Sequence, residues 1–227
     1  MEYKMTDLNI DKYEYIFWDW NGTLFNDISI AVKTMNSLLN QYHINNQLES
    51  TKQYKEVFTF PVSKYYEKLG FKLDKMDWDD IATSYVKTYE KYMVESSLFD
   101  GVTNTLEAFN NLNYKQYIIS ASSNTSLNKQ VSQFDIKDYF IDICGLKDNY
   151  AVSKTKLAIN CMNNNQIDKN KLLFIGDSIH DYEVFKELNC DCLLIANGHQ
   201  SKSRLETTNA YIINDLQELN KIISRCQ

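Results

Sequence analysis

The sequence predicts an α/β protein, a Rossmann-like parallel sheet with a stretch of helices inserted into it. Three observations carry this. Tyr15-Ile16-Phe17-Trp18 is a short apolar and aromatic run, the pattern of a strand buried on both faces, and it stops at Asp19 with Gly22 turning the chain. From Asp100-Gly101 onward, strand and helix patterns alternate, which builds a parallel sheet covered on both faces. Between these parts, residues 29–99 carry helical spacing and no convincing strand.

In order, the first strand is followed by helical periodicity at Ile30, Ala31, Met35, Leu38, Leu39 and Tyr42. Phe58-Thr59-Phe60-Pro61 is a break, and a short helix follows from Val62 to Leu69, ended by Gly70. The acidic run from Asp74 to Asp80 suits the first turn of a further helix carrying Ile81, Tyr85, Tyr89, Tyr92 and Met93. The α/β part then reads as helix 102–112, strand 116–120, helix 126–134, strand 141–144 and helix 154–162. Strand 172–175, helix 179–188, strand 192–195, strand 211–213 and a terminal helix complete it. The expected organisation is a core of residues 1–26 and 100–227, with residues 27–99 as a helical lid inserted into it.

Composition limits the function classes. Hydrophobic residues make up 44% and charged residues 24%, which is ordinary for a globular protein. A net charge of −6 without any basic run argues against nucleic acid or an anionic membrane surface as partner. No apolar stretch approaches the ~18 residues of a membrane span, and Met1–Asp11 lacks the apolar core of a signal peptide. Five cysteines, Cys144, Cys161, Cys190, Cys192 and Cys226, have neither zinc-site nor CxxC spacing, so reduced thiols and a cytoplasmic location are expected. Oligomeric state is not readable from the sequence.

Four places hold residues that can carry chemistry, and three of them follow buried strands. They are Asp19 with Asn21, Gly22 and Thr23; Ser120-Ala121-Ser122-Ser123-Asn124; Lys154 heading a helix; and Gly176-Asp177-Ser178-Ile179-His180-Asp181. Singly, each has a plain structural explanation: Ser120 as a capping hydroxyl, Lys154 as a solvated cation, Asp181 as a first-turn acid. Wound in this order, with separations of 101, 34 and 23 residues from Asp19 to Ser120 to Lys154 to Asp177, all four come to the C-terminal edge of one parallel sheet. Three carboxylates (Asp19, Asp177, Asp181) make a hard oxygen site suited to Mg²⁺. A lysine, a serine hydroxyl and backbone N–H groups after Gly22 can meet the oxygens of a phosphoryl group.

This order resembles the haloacid dehalogenase-like hydrolase superfamily, in its helical-cap branch, which includes phosphoglycolate phosphatase and β-phosphoglucomutase-like proteins. The resemblance runs from Tyr15 to Ile195 and is most specific at Asp19-Trp20-Asn21-Gly22-Thr23-Leu24 and at Gly176–Asp181. It implies a Mg²⁺-dependent phosphatase acting on a small phosphorylated metabolite. Asp19 would attack phosphorus and become an aspartyl phosphate, with Lys154 as the second catalytic residue. Asp19, the Asn21 carbonyl, Asp177 and Asp181 would hold the metal. Asn21, Gly22, Thr23, Ser120, Ala121 and Asn124 would surround the phosphoryl group.

One position departs from that pattern. The family's phosphatases carry a second aspartate two residues after the nucleophile, which protonates the leaving oxygen and then activates water. Here that residue is Asn21, whose amide cannot exchange a proton near neutral pH. General acid–base help is worth about 10²–10⁴-fold, so three consequences stay open. The substrate has a good leaving group such as an acyl phosphate; another residue such as His180, Glu183, His199 or a cap residue replaces the acid; or turnover is lost and binding kept. A phosphotransferase or mutase, with a long-lived aspartyl phosphate, is the enzymatic alternative. Among other residues, Trp18 and Trp20 should share a face opposite Asp19, Trp18 in the core and Trp20 undecided, while His199 reads as a solvated loop histidine. Asp27, Lys33, Lys55 and Tyr65 are weaker candidates for substrate contacts.

Overall fold

The computed structural model describes residues 8–146 and 153–225; residues 1–7, 147–152 and 226–227, Cys226 and the outer limits of the expected core among them, lie outside the described residues. Strand β1 (Tyr15–Trp18) is central, with Ile16, Phe17 and Trp18 fully buried. It pairs in parallel with β4 (Lys115–Ser123) on one side and with β6 (Leu172–Gly176) on the other. Strand β5 (Phe140–Leu146) flanks β4, while β7 (Asp191–Ile195) and β8 (Tyr211–Ile213), with the short α9 (Lys202–Leu205) between them, extend the other edge, for an order β5-β4-β1-β6-β7-β8. The chain fills the β4–β5 side first and then crosses to β6, so the winding direction reverses at β1. That reversal opens a crevice at the C-terminal ends of β4, β1 and β6.

Alternation along β1 decides what each face packs against. Ile16 and Trp18 join Leu106 and Phe109 of α5 (Val102–Asn111) and Leu216, Leu219 and Ile223 of α10 (Leu216–Ile223). Phe17 faces the other way, with Phe174, Ala158 and Cys161 of α7 (Lys154–Asn164) and Val184 and Leu188 of α8 (Ile179–Leu188). Trp20 belongs with Trp18: it is fully buried, stacks on Phe25 with centroids 5.3 Å apart, and donates from Nε1 to Gln130 Oε1 at 2.7 Å. It is core and not a wall of the crevice. No helix among the described residues is long and apolar enough to cross a membrane, and Cys144, Cys161, Cys190 and Cys192 are free thiols.

The helical insertion leaves and returns through a two-strand antiparallel ladder. In it, β2 (Phe25–Asn26) pairs with β3 (Ser97–Leu98). Between them come α1 (Ile28–Gln41), α2 (Thr51–Val57), α3 (Val62–Leu69) and α4 (Trp78–Tyr92). These helices bury their own core of Met35, Leu38, Leu39, Tyr66, Leu69, Phe71 and Ile81. Their ends are set by local chemistry: Ser50 Oγ caps α2, Gly70 ends α3 at φ 104°, and the Asp77 carboxylate accepts from the N–H groups of Asp79 and Asp80.

Three elements differ from the sequence expectation for identifiable reasons. Helix α2 was not expected, because Tyr54 is its one buried residue and it carries no apolar stripe. Strand β4 continues to Ser123 instead of stopping at Ser120, since β5 pairs with it as far as Leu146 opposite Ser123 after a shift in register. The expected strand-free stretch up to Phe99 also contains β3, two residues and so too short to leave a pattern.

Candidate active site

Asp19 continues the line of β1, its N–H donating to Ile175 O at 2.8 Å. The chain then turns tightly. The N–H groups of Thr23, Leu24 and Phe25 converge on Trp20 O at 3.3, 3.0 and 2.9 Å, and Gly22 N–H donates to Phe25 O at 2.9 Å. Gly22 has φ 78°, and a Cβ there would collide with the Asp177 carboxylate and the His199 ring. The backbone donors after Gly22, expected to meet phosphoryl oxygens, are thus consumed by the turn itself. Thr23 is fully buried, its hydroxyl 3.2 Å from Asp19 Oδ2 and 3.4 Å from Asp177 Oδ1.

Lys154 begins α7 and is 4% exposed, so it is not a solvated lysine. Its Nζ bridges Asp19 Oδ1, in a short ion pair, and Asp181 Oδ1 at 2.5 Å. The other Asp181 oxygen accepts from Ser178 Oγ at 2.6 Å and from the N–H groups of Asp177 and Ser178 at 3.2 and 3.1 Å, the capping box that starts α8. One side chain therefore caps its helix and anchors the lysine. The carboxylates of Asp19, Asp177 and Asp181 each offer an oxygen within 4.8 Å of the others.

The electrostatics of the three differ. Burial raises the Asp19 carboxyl to about 6 against the pull of Lys154. Burial likewise pushes Asp177 up to about 8; His199 opposes the rise and Asp181 and Asp19 add to it. Asp181 is buried too, yet Lys154 and Ser178 hold it below the usual carboxylate range. For Lys154 the desolvation that would lower it is outweighed by Asp181 and Asp19, and it stays protonated. Three carboxyl groups share one ammonium in a buried space, and among the described residues no lysine or arginine pairs with Asp177. This donor set fits a hard divalent cation.

A second buried network lies beside the first. Asp27 does not cap α1 with its side chain. Its Oδ1 accepts from Gly22 N–H at 3.1 Å and lies 3.2 Å from His199 Nε2, and its Oδ2 accepts from Asn21 Nδ2 at 3.0 Å and Tyr89 OH at 2.7 Å. His199 Nδ1 meets Tyr54 OH at 2.8 Å. His199 is 6% exposed, so the expectation of a solvated loop histidine is overturned. Asn21 completes the network, its Nδ2 also 3.0 Å from Tyr89 OH and its Oδ1 accepting from Ser122 Oγ at 2.8 Å. The network joins the Asp19 loop, β4, the loop after β7 and two insertion helices.

The two groups open on a cavity of about 750 Å³ between the sheet edge and the insertion. Of the residues expected at the site, Asp19, Asn21, Ser120, Ala121, Lys154, Asp177 and Asp181 line it, and Gly22, Thr23 and Asn124 do not. Asn124 instead starts α6 (Asn124–Val131), its Oδ1 accepting from Gly145 N–H at 3.3 Å and Asn128 Nδ2 at 3.1 Å. His180 reaches the cavity and stacks on Phe60 at 4.4 Å, while Glu183, 3.5 Å from its Nδ1, stays outside. Among the weaker candidates, Asp27 and Tyr65 line the cavity, Lys55 donates to Asn197 O at 2.8 Å, and Lys33 pairs with Glu95.

A carboxylate–lysine centre at the switch point of a parallel sheet, roofed by a helical insertion, defines an α/β protein with a buried charged site at its sheet edge. The comparisons make the class specific. A model for haloacid dehalogenase-like hydrolases matches residues 16–195, and the chain belongs to that family. No curated protein matches it. Similar solved structures include a predicted phosphatase from Clostridium acetobutylicum, 21% identical, covering 94% of this chain and 99% of its own, with a TM-score of 0.76. A predicted phosphoglycolate phosphatase from Haemophilus somnus is 18% identical over 93% of this chain and 98% of its own, TM-score 0.72. CbbY from Rhodobacter sphaeroides, solved with xylulose-(1,5)bisphosphate, is 12% identical over 91% and 96%, TM-score 0.71. At these identities the likeness shows the shared fold.

Proposed function

We propose that the chain is a Mg²⁺-dependent phosphatase acting on a small phosphorylated metabolite in the cytoplasm, with Asp19 as nucleophile and residues 27–99 as a cap over residues 1–26 and 100–227. The observation that carries this reading is the Lys154 ammonium held between Asp19 and Asp181, while among the described residues no lysine or arginine pairs with Asp177. Lys154 neutralises the nucleophile's surroundings, so a phosphate dianion can approach Asp19. An Asp19 oxygen bonds to phosphorus, the bond to the leaving oxygen breaks, and that oxygen departs with the electron pair. Water then attacks the aspartyl phosphate, returning Asp19 and releasing inorganic phosphate. Ser120, 1% exposed and on the cavity wall, offers its hydroxyl to a phosphoryl oxygen. Mg²⁺, held by Asp19, Asp177, the Asn21 carbonyl and Asp181, directly or through water, would offset phosphoryl charge.

Asn21 supplies no proton, and its amide is engaged by Asp27, Tyr89 and Ser122. His199 has one ring nitrogen on Tyr54 and the other on Asp27, so neither is presented to a leaving group. His180 also lines the cavity, with its ring stacked on Phe60 and its Nδ1 3.5 Å from Glu183. With Asn21 and His199 both engaged, the reading favours substrates whose leaving group needs no acid. The same lack of a base favours a second reading, transfer of the phosphoryl group from Asp19 to an acceptor other than water. Phosphate release from acetyl phosphate with Mg²⁺, measured for wild type and Asp19→Asn, tests the proposal. Release by wild type alone is expected, and equal release by both would overturn it.

A further inference from the structure

The cavity over Asp19 is lined by eight aromatic side chains from the insertion, among them Phe60, Tyr65, Trp78, Tyr85 and Tyr89. The charged residues that the insertion side adds are Asp27 and Glu90, both acidic. Among the described residues, Lys154 is the one lysine or arginine on the cavity wall, and Asp19 and Asp181 already hold it. Basic side chains nearby turn elsewhere: Lys55 donates to Asn197 O at 2.8 Å, and Arg204 donates to Lys55 O at 2.8 Å and to Phe58 O. His199, paired with Asp27, brings no net positive charge.

A ligand with a second anionic group would set that group among ring faces, near Glu90, with no free described lysine or arginine to meet it. An unpaired carboxylate or phosphate is costly to desolvate, whereas a flat apolar group gains from contact with rings. The cavity's 750 Å³ also far exceeds what a two-carbon acid fills. Tyr65 adds a polar detail. It is 3% exposed, lines the cavity, and its hydroxyl has no hydrogen-bond partner. A neutral group on the ligand would satisfy it.

We propose that the aromatic cavity selects phosphorylated substrates whose organic part is aromatic and whose single phosphate is their only anionic group, with an uncharged hydrogen-bonding group for the Tyr65 hydroxyl. This rests on the phosphatase reading above and deepens it. It disfavours phosphorylated carboxylic acids and bisphosphates as substrates.

The test compares phenyl phosphate with 3-carboxyphenyl phosphate, which have closely similar leaving groups and differ by one carboxylate, using wild-type protein and Mg²⁺. A kcat/KM at least about tenfold higher for phenyl phosphate is expected. Equal values, or a preference for the carboxylated ester, would overturn the inference. If neither ester is hydrolysed, release from acetyl phosphate decides the phosphatase reading separately. The affinities of phenylphosphonate, 3-carboxyphenylphosphonate and methylphosphonate, measured by calorimetry with Mg²⁺, then decide the ligand class. Tightest binding of phenylphosphonate supports it, and any other order contradicts it.

Discussion

His199 Nε2 lies 3.2 Å from Asp27 Oδ1, a buried pair joining the loop after β7 to the residue that precedes α1. With Tyr54 on His199 and Tyr89 on Asp27, it ties the insertion to the sheet edge where Asp19 stands. Burial would lower the His199 pKa, but Asp27, with Asp177 and Asp19, raises it from 6.5 to about 9. Burial would raise Asp27, yet His199 outweighs it and holds the carboxyl below 3.8.

Removing one partner leaves the other buried and uncompensated. Asp27→Asn is expected to cost about 3–5 kcal/mol of stability near pH 6, read from urea denaturation in EDTA. The sign follows from the two shifts. The His199 contribution is full below pH 6.5 and lost as pH rises through about 9; that of Asp27 is present above pH 3.8 and lost on acidification below it. The difference between wild type and Asp27→Asn should therefore be largest between about pH 4 and 6.5 and shrink towards pH 10. A difference that does not change with pH would mean that the pair is not ionised.

Asp177, raised to about 8, is largely protonated at pH 7 in the metal-free protein. A metal needs the carboxylate, so Mg²⁺ binding at pH 7 should release about one proton. Calorimetry in buffers of different ionisation enthalpy reads that number, and Asp177→Asn should lose both the binding and the release.

Lys154→Met leaves the Asp19 and Asp181 carboxylates facing each other without their ammonium. Turnover should fall by about 10³-fold or more. The thermal midpoint in EDTA should also drop, with Mg²⁺ restoring more of it than in wild type. An unchanged midpoint would show that the lysine is not buried between the two acids.

Asn21→Asp supplies a carboxyl where the family's phosphatases have one, but places it against Asp27, which now accepts from the Asn21 amide at 3.0 Å. Esters with poor leaving groups should be hydrolysed up to about 10²-fold faster, at a stability cost of about 1–3 kcal/mol from the lost hydrogen bond and the facing charges. Paired rate and denaturation measurements check both.

The buried strands, Asp19, Asp177 and Asp181 were legible in the sequence because short apolar runs ending in a carboxylate, wound in order, put their ends together, and Lys154 because it heads a helix between two of them. The Asp27–His199–Tyr54–Tyr89 network was not, since its members come from four separated places and each reads alone as an ordinary polar or aromatic residue. Asn124 and the N–H groups after Gly22 misled for a different reason. Composition near a strand end shows which groups are available, and only the folded turn shows that Trp20 O and Gly145 N–H have already taken them.

The most direct measurement is the initial rate of phosphate release with Mg²⁺ for a series of phosphates whose leaving groups span a wide pKa range, with Asp19→Asn as the blank. The account predicts release that requires Asp19 and falls steeply as leaving-group pKa rises, because no side chain at Asn21 donates a proton. A shallow dependence would contradict the absence of a general acid, and no release above the blank would contradict the phosphatase itself.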